Sequence, residues 1–150
     1  MVNNFSLSIN KKGEGVDFSW LSGLEKIIAT RFSVNSVISI ALINEDEIKQ
    51  LNKVYRKKDA VTDVLSFNID SPEILGEIVI CLSRAKEQAK QRKKTLKAEL
   101  QLLTVHGILH LLGYDHELGD KQTVIQERME QEILCLLANK NRSAKGRVNK

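Results

Sequence analysis

Short runs of β-branched residues alternate along this 150-residue chain with segments of helical periodicity. The run at 36–43, SVISIALI, is typical of a buried strand, and further strands are predicted over 5–10, 63–68 and 77–82. Helices are predicted between and after the strands, over 17–32, 44–56, 84–92, 95–112 and 123–139. The sequence therefore predicts an α+β fold, in which about five helices pack on a small mixed sheet of about four strands.

Local signals predict where two of these helices begin and end. Asn44 is a typical N-cap residue, and Glu47, three positions later, completes a capping box. Thr95 opens the longer helix, and Gly113 lies where a helix C-terminus favours a left-handed residue. The chain therefore turns directly after the helix of 95–112.

The charge is distributed unevenly. The formal net charge is +4, but residues 140–150 carry five basic and no acidic side chains, which leaves 18 basic and 19 acidic residues in 1–139. Residues 1–139 are expected to form a single domain. The basic segment 140–150 is expected to be a disordered tail. Such a tail either binds polyanions by counterion release or serves as a solubilising end.

Composition also restricts the class of protein. Two cysteines, Cys81 and Cys135, are too few for a disulfide scaffold and suit a reducing compartment. The first twelve residues lack the pattern of a secretion signal, and no apolar run approaches the roughly 20 residues that a membrane span requires. We therefore expect a cytoplasmic protein with no membrane contact.

All three histidines of the chain fall within one eleven-residue segment, HGILHLLGYDH at 106–116. His106 and His110 are four positions apart on a predicted helix, so their rings project from one face, with Cβ atoms about 5–6 Å apart. The turn at Gly113 can return His116 to the same point. Three imidazole nitrogens with an open fourth position are typical of a catalytic zinc site. The segment predicts one zinc ion per chain, on this helix and the following turn; the alternative is two core histidines and a surface His116.

The spacing of the histidines matches the elongated zinc motif of the metzincin proteases, except at one position. Gly107 occupies the place of their general-base glutamate, and glycine cannot accept a proton. Either the base comes from elsewhere or the substrate is not a peptide. A metalloprotease is therefore the second hypothesis.

The histidine segment, together with YRKKDAVTDVLSF at 55–67 and GEIVI at 76–80, resembles the YbeY endoribonuclease family of bacterial ribosomal-RNA maturation factors. The resemblance extends over about 42–136. It implies a zinc-dependent, single-strand-specific endoribonuclease of the cytoplasm, acting in 16S ribosomal RNA 3′-end maturation and in 70S ribosome quality control. The implied partners are ribosomal RNA, the ribosome or its small subunit, and single-stranded RNA, with no DNA. Asn68 and Glu77 depart from the residues, proline and aspartate, that many members carry there.

The resemblance also implies which residues form the site. The zinc ligands would be His106, His110 and His116, and Arg56 would be the family's functional arginine. An arginine there, just after a helix and before the loop, can face the zinc and hold a phosphate oxygen bidentately, which lysine cannot do. The alternative for Arg56 is an exposed arginine at a helix end.

Three acidic residues are further candidates. Asp115 can orient a ligand imidazole or act on water, so it is a candidate catalytic residue. Asp63 can lie behind the ligands, but an aspartate that satisfies loop amides is the favoured interpretation. Glu117 is a candidate base, although a solvated turn residue is favoured there.

A cluster of basic residues precedes the histidine helix: Lys86, Lys90, Arg92, Lys93, Lys94 and Lys97. The cluster is either a solvated face or a contact surface for the RNA backbone. Aromatic residues make up only 5% of the chain, so no base-stacking platform is evident. A third hypothesis is a non-catalytic, ribosome-associated factor that binds a structural metal.

Overall fold

The computed structural model describes residues 5–11, 15–114 and 120–148. The described strands are β1 (Ser6–Lys11), β2 (Val37–Ile43), β3 (Val64–Asn68) and β4 (Ile74–Cys81). The described helices are α1 (Leu21–Arg31), α2 (Glu45–Arg56), α3 (Leu82–Gln91), α4 (Leu96–Leu111) and α5 (Asp120–Val148). The predicted α+β fold of about five helices and four strands is confirmed.

The four strands form one mixed sheet in the order β1-β2-β4-β3. β1 pairs parallel with β2, and β2 pairs parallel with β4. β3 pairs antiparallel with β4, with Phe67 opposite Glu77, and forms one edge of the sheet. The antiparallel edge strand makes the sheet mixed, as the sequence predicted.

Successive residues of β4 pack on opposite faces of the sheet. Ile78 and Ile80 belong to the main core, to which α1, α4 and α5 contribute buried side chains. Val79 and Cys81 belong to a smaller cluster that α2 covers. Because both faces of β4 are covered, its residues 78–81 are all apolar and do not alternate with polar ones. The arrangement places α2 and α4 on opposite faces of the sheet.

The ends of α2 follow local signals. The Asn44 side chain accepts from the Glu47 amide at 2.8 Å, and the Glu47 carboxylate accepts from the Asn44 amide at 3.3 Å, which confirms the capping box. The helix ends at Arg56, and the following residue, Lys57, caps it in a left-handed conformation with φ 57°. Buried Asn52 donates to the carbonyl of Ala60 at 2.9 Å and so ties the following loop to the helix.

The long helix α4 packs closely against β4. Thr95 caps its first turn by accepting from the Ala98 amide at 3.0 Å, and Gly113 follows the helix with φ 98°, as predicted. A Cβ added to Gly107 would lie 2.9–3.0 Å from three side-chain atoms of Ile78. A side chain at position 107 would therefore separate the helix from the sheet.

The last helix is longer than the sequence predicted. The backbone of α5 is helical through Val148, beyond the expected end at Asn139, and so includes most of the segment that was expected to be disordered. The expectation of disorder considered only the charge and the low apolar content of this segment. Its lysine, arginine and alanine residues are also good helix formers, which favours continuation of the helix. Across the described ranges, none of the helices is long and apolar enough to cross a bilayer.

Replacing Gly107 with alanine tests the helix–sheet contact. Gly107→Ala is expected to destabilise the protein, because overpacking costs about 1–3 kcal/mol and the gain in helix propensity, about 1 kcal/mol, offsets only part of it. The matched control is Gly23→Ala in α1, where the new Cβ would meet Leu137 at an ordinary 3.5 Å. The free energy of unfolding of this control should rise by about 0.5–1 kcal/mol. Urea unfolding of both variants measures the difference, and an equal gain in both would contradict the packing argument.

Candidate metal centre

α4 carries His106 and His110 one turn apart, and both side chains are half-buried. Their neighbours in the chain, Val105, Gly107 and Leu109, are buried in the core. The two rings thus share the side of the helix that is only partly covered, as the four-residue spacing predicted.

A buried glutamate on α5 holds the first histidine. Glu130 Oε1 lies 2.6 Å from His106 Nδ1, and Glu130 is only 9% exposed. Gln126, one turn earlier on α5, lies 3.4 Å from both atoms through its Nε2. A carboxylate on Nδ1 fixes the orientation of the ring, and Nε2 is then the nitrogen that would coordinate a metal ion.

Glu130 was missed by the sequence analysis, although the sequence holds a signal for it. Gln126, Glu130, Ile133 and Leu137 follow helical spacing, and all four are buried on one face of α5. Polar residues at two positions of an otherwise apolar stripe indicate a buried partner, because a buried carboxylate without one is costly. The partner turns out to be His106.

The surroundings raise the pKa of His106 above its ordinary value of 6.5. The hydrogen bond that the imidazole donates to Glu130 is the largest cause of the raised pKa, while burial lowers the pKa, and the negative charges of Glu130 and Asp63 raise it further. The imidazole therefore holds its proton to a higher pH in the metal-free protein than an isolated histidine does.

A cavity of about 190 Å³ opens between α4 and α5 beside this pair, lined by His106, Thr123, Gln126, Glu127 and Glu130. Within residues 5–11, 15–114 and 120–148, no three potential ligands come together. The third predicted ligand, His116, lies outside the described residues, as do Asp115 and Glu117. Two imidazoles one turn apart, one of them with its Nδ1 bonded to a carboxylate, suit a zinc ion as donors.

Asp63, at the start of β3, is held by side chains rather than by loop amides. Its Oδ1 accepts from Thr62 Oγ1 at 3.3 Å. The side-chain amide of Gln88 lies beside two carboxylates. In the orientation that satisfies both, Gln88 Nε2 donates to Asp63 Oδ2 at 3.3 Å and to Glu99 Oε1 at 3.1 Å. Because the charge of Asp63 acts on His106, the carboxylate belongs to the surroundings of the candidate site.

The network continues into the predicted basic cluster. Glu99 on α4 is fully buried and accepts from Arg92 Nη1 at 2.8 Å. Arg92 is therefore partly committed to an ion pair. Lys86 and Lys90 lie on α3, and Lys93 and Lys94 lie between α3 and α4; all four are exposed. Lys97, in the first turn of α4, is partly buried. Their contact with RNA stays a prediction.

Arg56 occupies the other face of the sheet. It is the last residue of α2 and lines a groove of about 490 Å³ together with Tyr55, Phe67 and Glu77. The structure thus places His106 and His110 one turn apart on the α4 face, with Glu130 bonded to His106, and places Arg56 in a groove on the α2 face. This separation differs from the sequence-based expectation that Arg56 could face the zinc, because α2 and α4 pack on opposite faces of the sheet.

Comparison with known proteins identifies the family. The profile described as Endoribonuclease YbeY matches residues 8–138. The chain belongs to the YbeY endoribonuclease family. An endoribonuclease YbeY from Carboxydothermus hydrogenoformans is 46% identical over 104 residues, covering 67% of this chain and 72% of that protein. One from Staphylococcus saprophyticus is 35% identical over 135 residues, covering 79% and 88%.

A solved structure supports the same assignment. The chain is similar to TM1509 from Thermotoga maritima, known from a solution structure, with a TM-score of 0.65 and 31% identity over 93% of each chain. Membership of the YbeY family weakens the metalloprotease hypothesis. So does Gly107, whose Cβ position is filled by Ile78, because a glutamate there would meet the sheet.

The bond between Glu130 and His106 predicts a pH-dependent contribution to stability. Because the folded protein raises the pKa of His106, the contribution is complete below about pH 6.5 and is lost as the pH rises through the raised pKa. In metal-free protein, Glu130→Gln should lower the melting temperature more at pH 6 than at pH 9. Thermal unfolding at both pH values measures the effect.

The control for this prediction is Glu127→Gln. Glu127 is exposed and lines the same cavity, one turn from Thr123. Its melting temperature should change little and equally at both pH values. An equal loss at pH 6 and pH 9 in Glu130→Gln would show that the pair contributes packing alone.

Proposed function

We propose that this YbeY-family protein is a zinc-dependent endoribonuclease that cleaves single-stranded RNA, with His106, His110 and His116 as ligands of one zinc ion. The observation that carries the proposal is the buried Glu130 bonded to His106 Nδ1 at 2.6 Å, one helical turn from His110. Histidines that bind a metal ion commonly donate their second ring N–H to a carboxylate, and Glu130 is in the position to accept it.

The zinc ion would polarise a phosphoryl oxygen and lower the pKa of water at the site. Residues of the chain orient the ligands and set the charge around the site. Glu130 fixes the ring of His106, and Gln126 lies within reach of both groups. Asp63 places a further negative charge near His106. Asp115, adjacent to His116 in the sequence, is proposed to orient an imidazole or to accept a proton.

Arg56 is proposed to bind the RNA backbone. Its planar guanidinium can hold a phosphate through two parallel hydrogen bonds and offset charge that develops during cleavage. β3 is an edge strand: α4 packs against it on one face, and the groove beside Arg56 lies on the other. An RNA strand that passes over this edge would contact both faces.

The biological role is proposed from the family. Ribosomal RNA is the expected substrate, with action in 16S 3′-end maturation and 70S ribosome quality control in the cytoplasm. The basic cluster at 86–97 and the basic end at 140–150 would supply sequence-independent contacts to the RNA backbone. The ribosome would then supply the selectivity that such contacts lack.

Substitution of the histidines and of Arg56 separates metal binding from cleavage. His106→Ala and His110→Ala should lose both zinc and RNA cleavage. Arg56→Lys keeps the charge but loses the planar fork, so cleavage should fall about tenfold or more while zinc content is unchanged, as expected for a loss of about 1.4 kcal/mol or more. Elemental analysis and cleavage of a single-stranded RNA measure the two properties.

The control for Arg56→Lys is Lys49→Arg, an exposed residue of the same helix outside the groove. It should leave cleavage and zinc content unchanged. A generic peptide is assayed in parallel. Peptide hydrolysis by the parent, full RNA cleavage without bound metal, or no RNA cleavage by the zinc-loaded parent would each contradict the proposal.

The basic end of α5 is tested without disrupting the helix. Replacing Arg142, Lys145, Arg147 and Lys150 with glutamine removes four charges and keeps residues of similar helix propensity. RNA binding should weaken, and the slope of log K against log salt should fall by roughly 0.7 for each phosphate that the segment neutralises in the parent. Binding titrations at several salt concentrations measure this slope, and an unchanged slope would indicate that the segment is a solubilising end.

A further inference from the structure

The groove on the α2 face has a composition that the metal centre does not explain. We propose that this groove binds one unpaired base of the RNA strand, next to the phosphate held by Arg56. The inference rests on the proposed ribonuclease function and deepens it. It assigns a nucleobase subsite to the α2 face, formed by Tyr55, Phe67 and Glu77.

An exposed aromatic ring forms one side of the groove. Tyr55 is 65% exposed, and its ring lies edge-to-face on Phe67, with centroids 5.0 Å apart and an interplanar angle of 60°. The contact with Phe67 restricts the ring before any ligand binds, so little further conformational entropy is lost on stacking. A restricted, exposed aromatic ring is a suitable platform for a base. The low aromatic content of the chain had hidden this platform, because the two rings are twelve positions apart in sequence.

Polar groups of the groove match the edge of a base. Phe67 and Glu77 are directly opposite each other in the antiparallel pair, so their side chains leave the sheet on the same face. The Glu77 carboxylate can accept hydrogen bonds from a ligand in the groove. A carboxylate accepts from the exocyclic amino group of a base, as glutamate does with cytosine. Guanine, adenine and cytosine carry such a group, and uracil does not.

The charge around the groove favours RNA over an apolar peptide. The last turn of α2 and the residues after it carry exposed cations: Lys53, Arg56, Lys57 and Lys58. These residues can neutralise phosphates on either side of a bound base. The volume of about 490 Å³ is in the range of small-molecule sites and has room for a single nucleotide.

Binding of short RNAs tests the subsite. Zinc-loaded Tyr55→Ala should bind a ten-residue oligoadenylate about 5- to 150-fold more weakly than the parent, because stacking on one base contributes about 1–3 kcal/mol. Tyr55→Phe should retain parental binding. The matched control is Val54→Ala, the neighbouring residue of α2, which is 67% exposed and does not line the groove. Its affinity should be unchanged, and melting temperatures establish that all variants are folded.

The preference for an amino group is tested separately. The parent should bind oligoadenylate more tightly than oligouridylate, and Glu77→Ala should reduce that difference while leaving zinc content unchanged. Stacking alone also favours adenine over uracil. The test of Glu77 is therefore whether the affinity difference between oligoadenylate and oligouridylate is smaller in Glu77→Ala than in the parent. An equal difference in parent and variant would overturn the role of Glu77.

Two outcomes separate the subsite from the function on which it rests. If the parent cleaves RNA and Tyr55→Ala binds oligoadenylate as tightly as the parent, the subsite is wrong and the ribonuclease proposal stands. In that case the groove is open to a protein partner. If the zinc-loaded parent neither binds nor cleaves single-stranded RNA, the proposed function itself is overturned.

Discussion

The close contact between α4 and β4 at Gly107 sets the position of the histidine helix. The backbone of α4 approaches the sheet until Ile78 fills the space that a side chain at 107 would occupy. Because the helix is fixed in depth and rotation at this point, His106 and His110 emerge on its partly covered side. The same contact explains why the position corresponding to a protease base carries no side chain. Gly107 therefore determines both how closely α4 packs on the sheet and which side chains the helix presents at the candidate site.

α5 completes the candidate metal centre from a distance of 24 residues along the chain. Its apolar stripe docks it on the main core through Ile133 and Leu137, and the same face carries Glu130 to His106. The carboxylate loses solvation on burial and recovers part of that cost in its bond to the imidazole. A buried polar pair of this kind specifies how the helix docks as well as how the ring is oriented.

The edge strand β3 lies between the candidate metal centre and the groove beside Arg56. Asp63 at its start contributes to the electrostatics of His106, while Phe67 and Asn68 near its end line the groove beside Arg56. A sheet interior would keep the two faces apart, but an edge lets one extended ligand contact both. The proposed RNA substrate would have to follow such an edge to reach both the candidate metal centre and Arg56.

Much of this protein is determined by its sequence alone. The β-branched runs and helical periodicities predicted the elements, the capping box of Asn44 and Glu47 predicted the start of α2, and the spacing of His106 and His110 predicted a shared face. These properties depend on neighbours within about four residues, so the local sequence contains them. The ring contact between Tyr55 and Phe67, the bond between Glu130 and His106, and the placement of Arg56 on the opposite face depend on how the elements pack. Tertiary structure decided them, because each joins side chains whose approach is set by the sheet order and by helix docking rather than by any spacing along the chain.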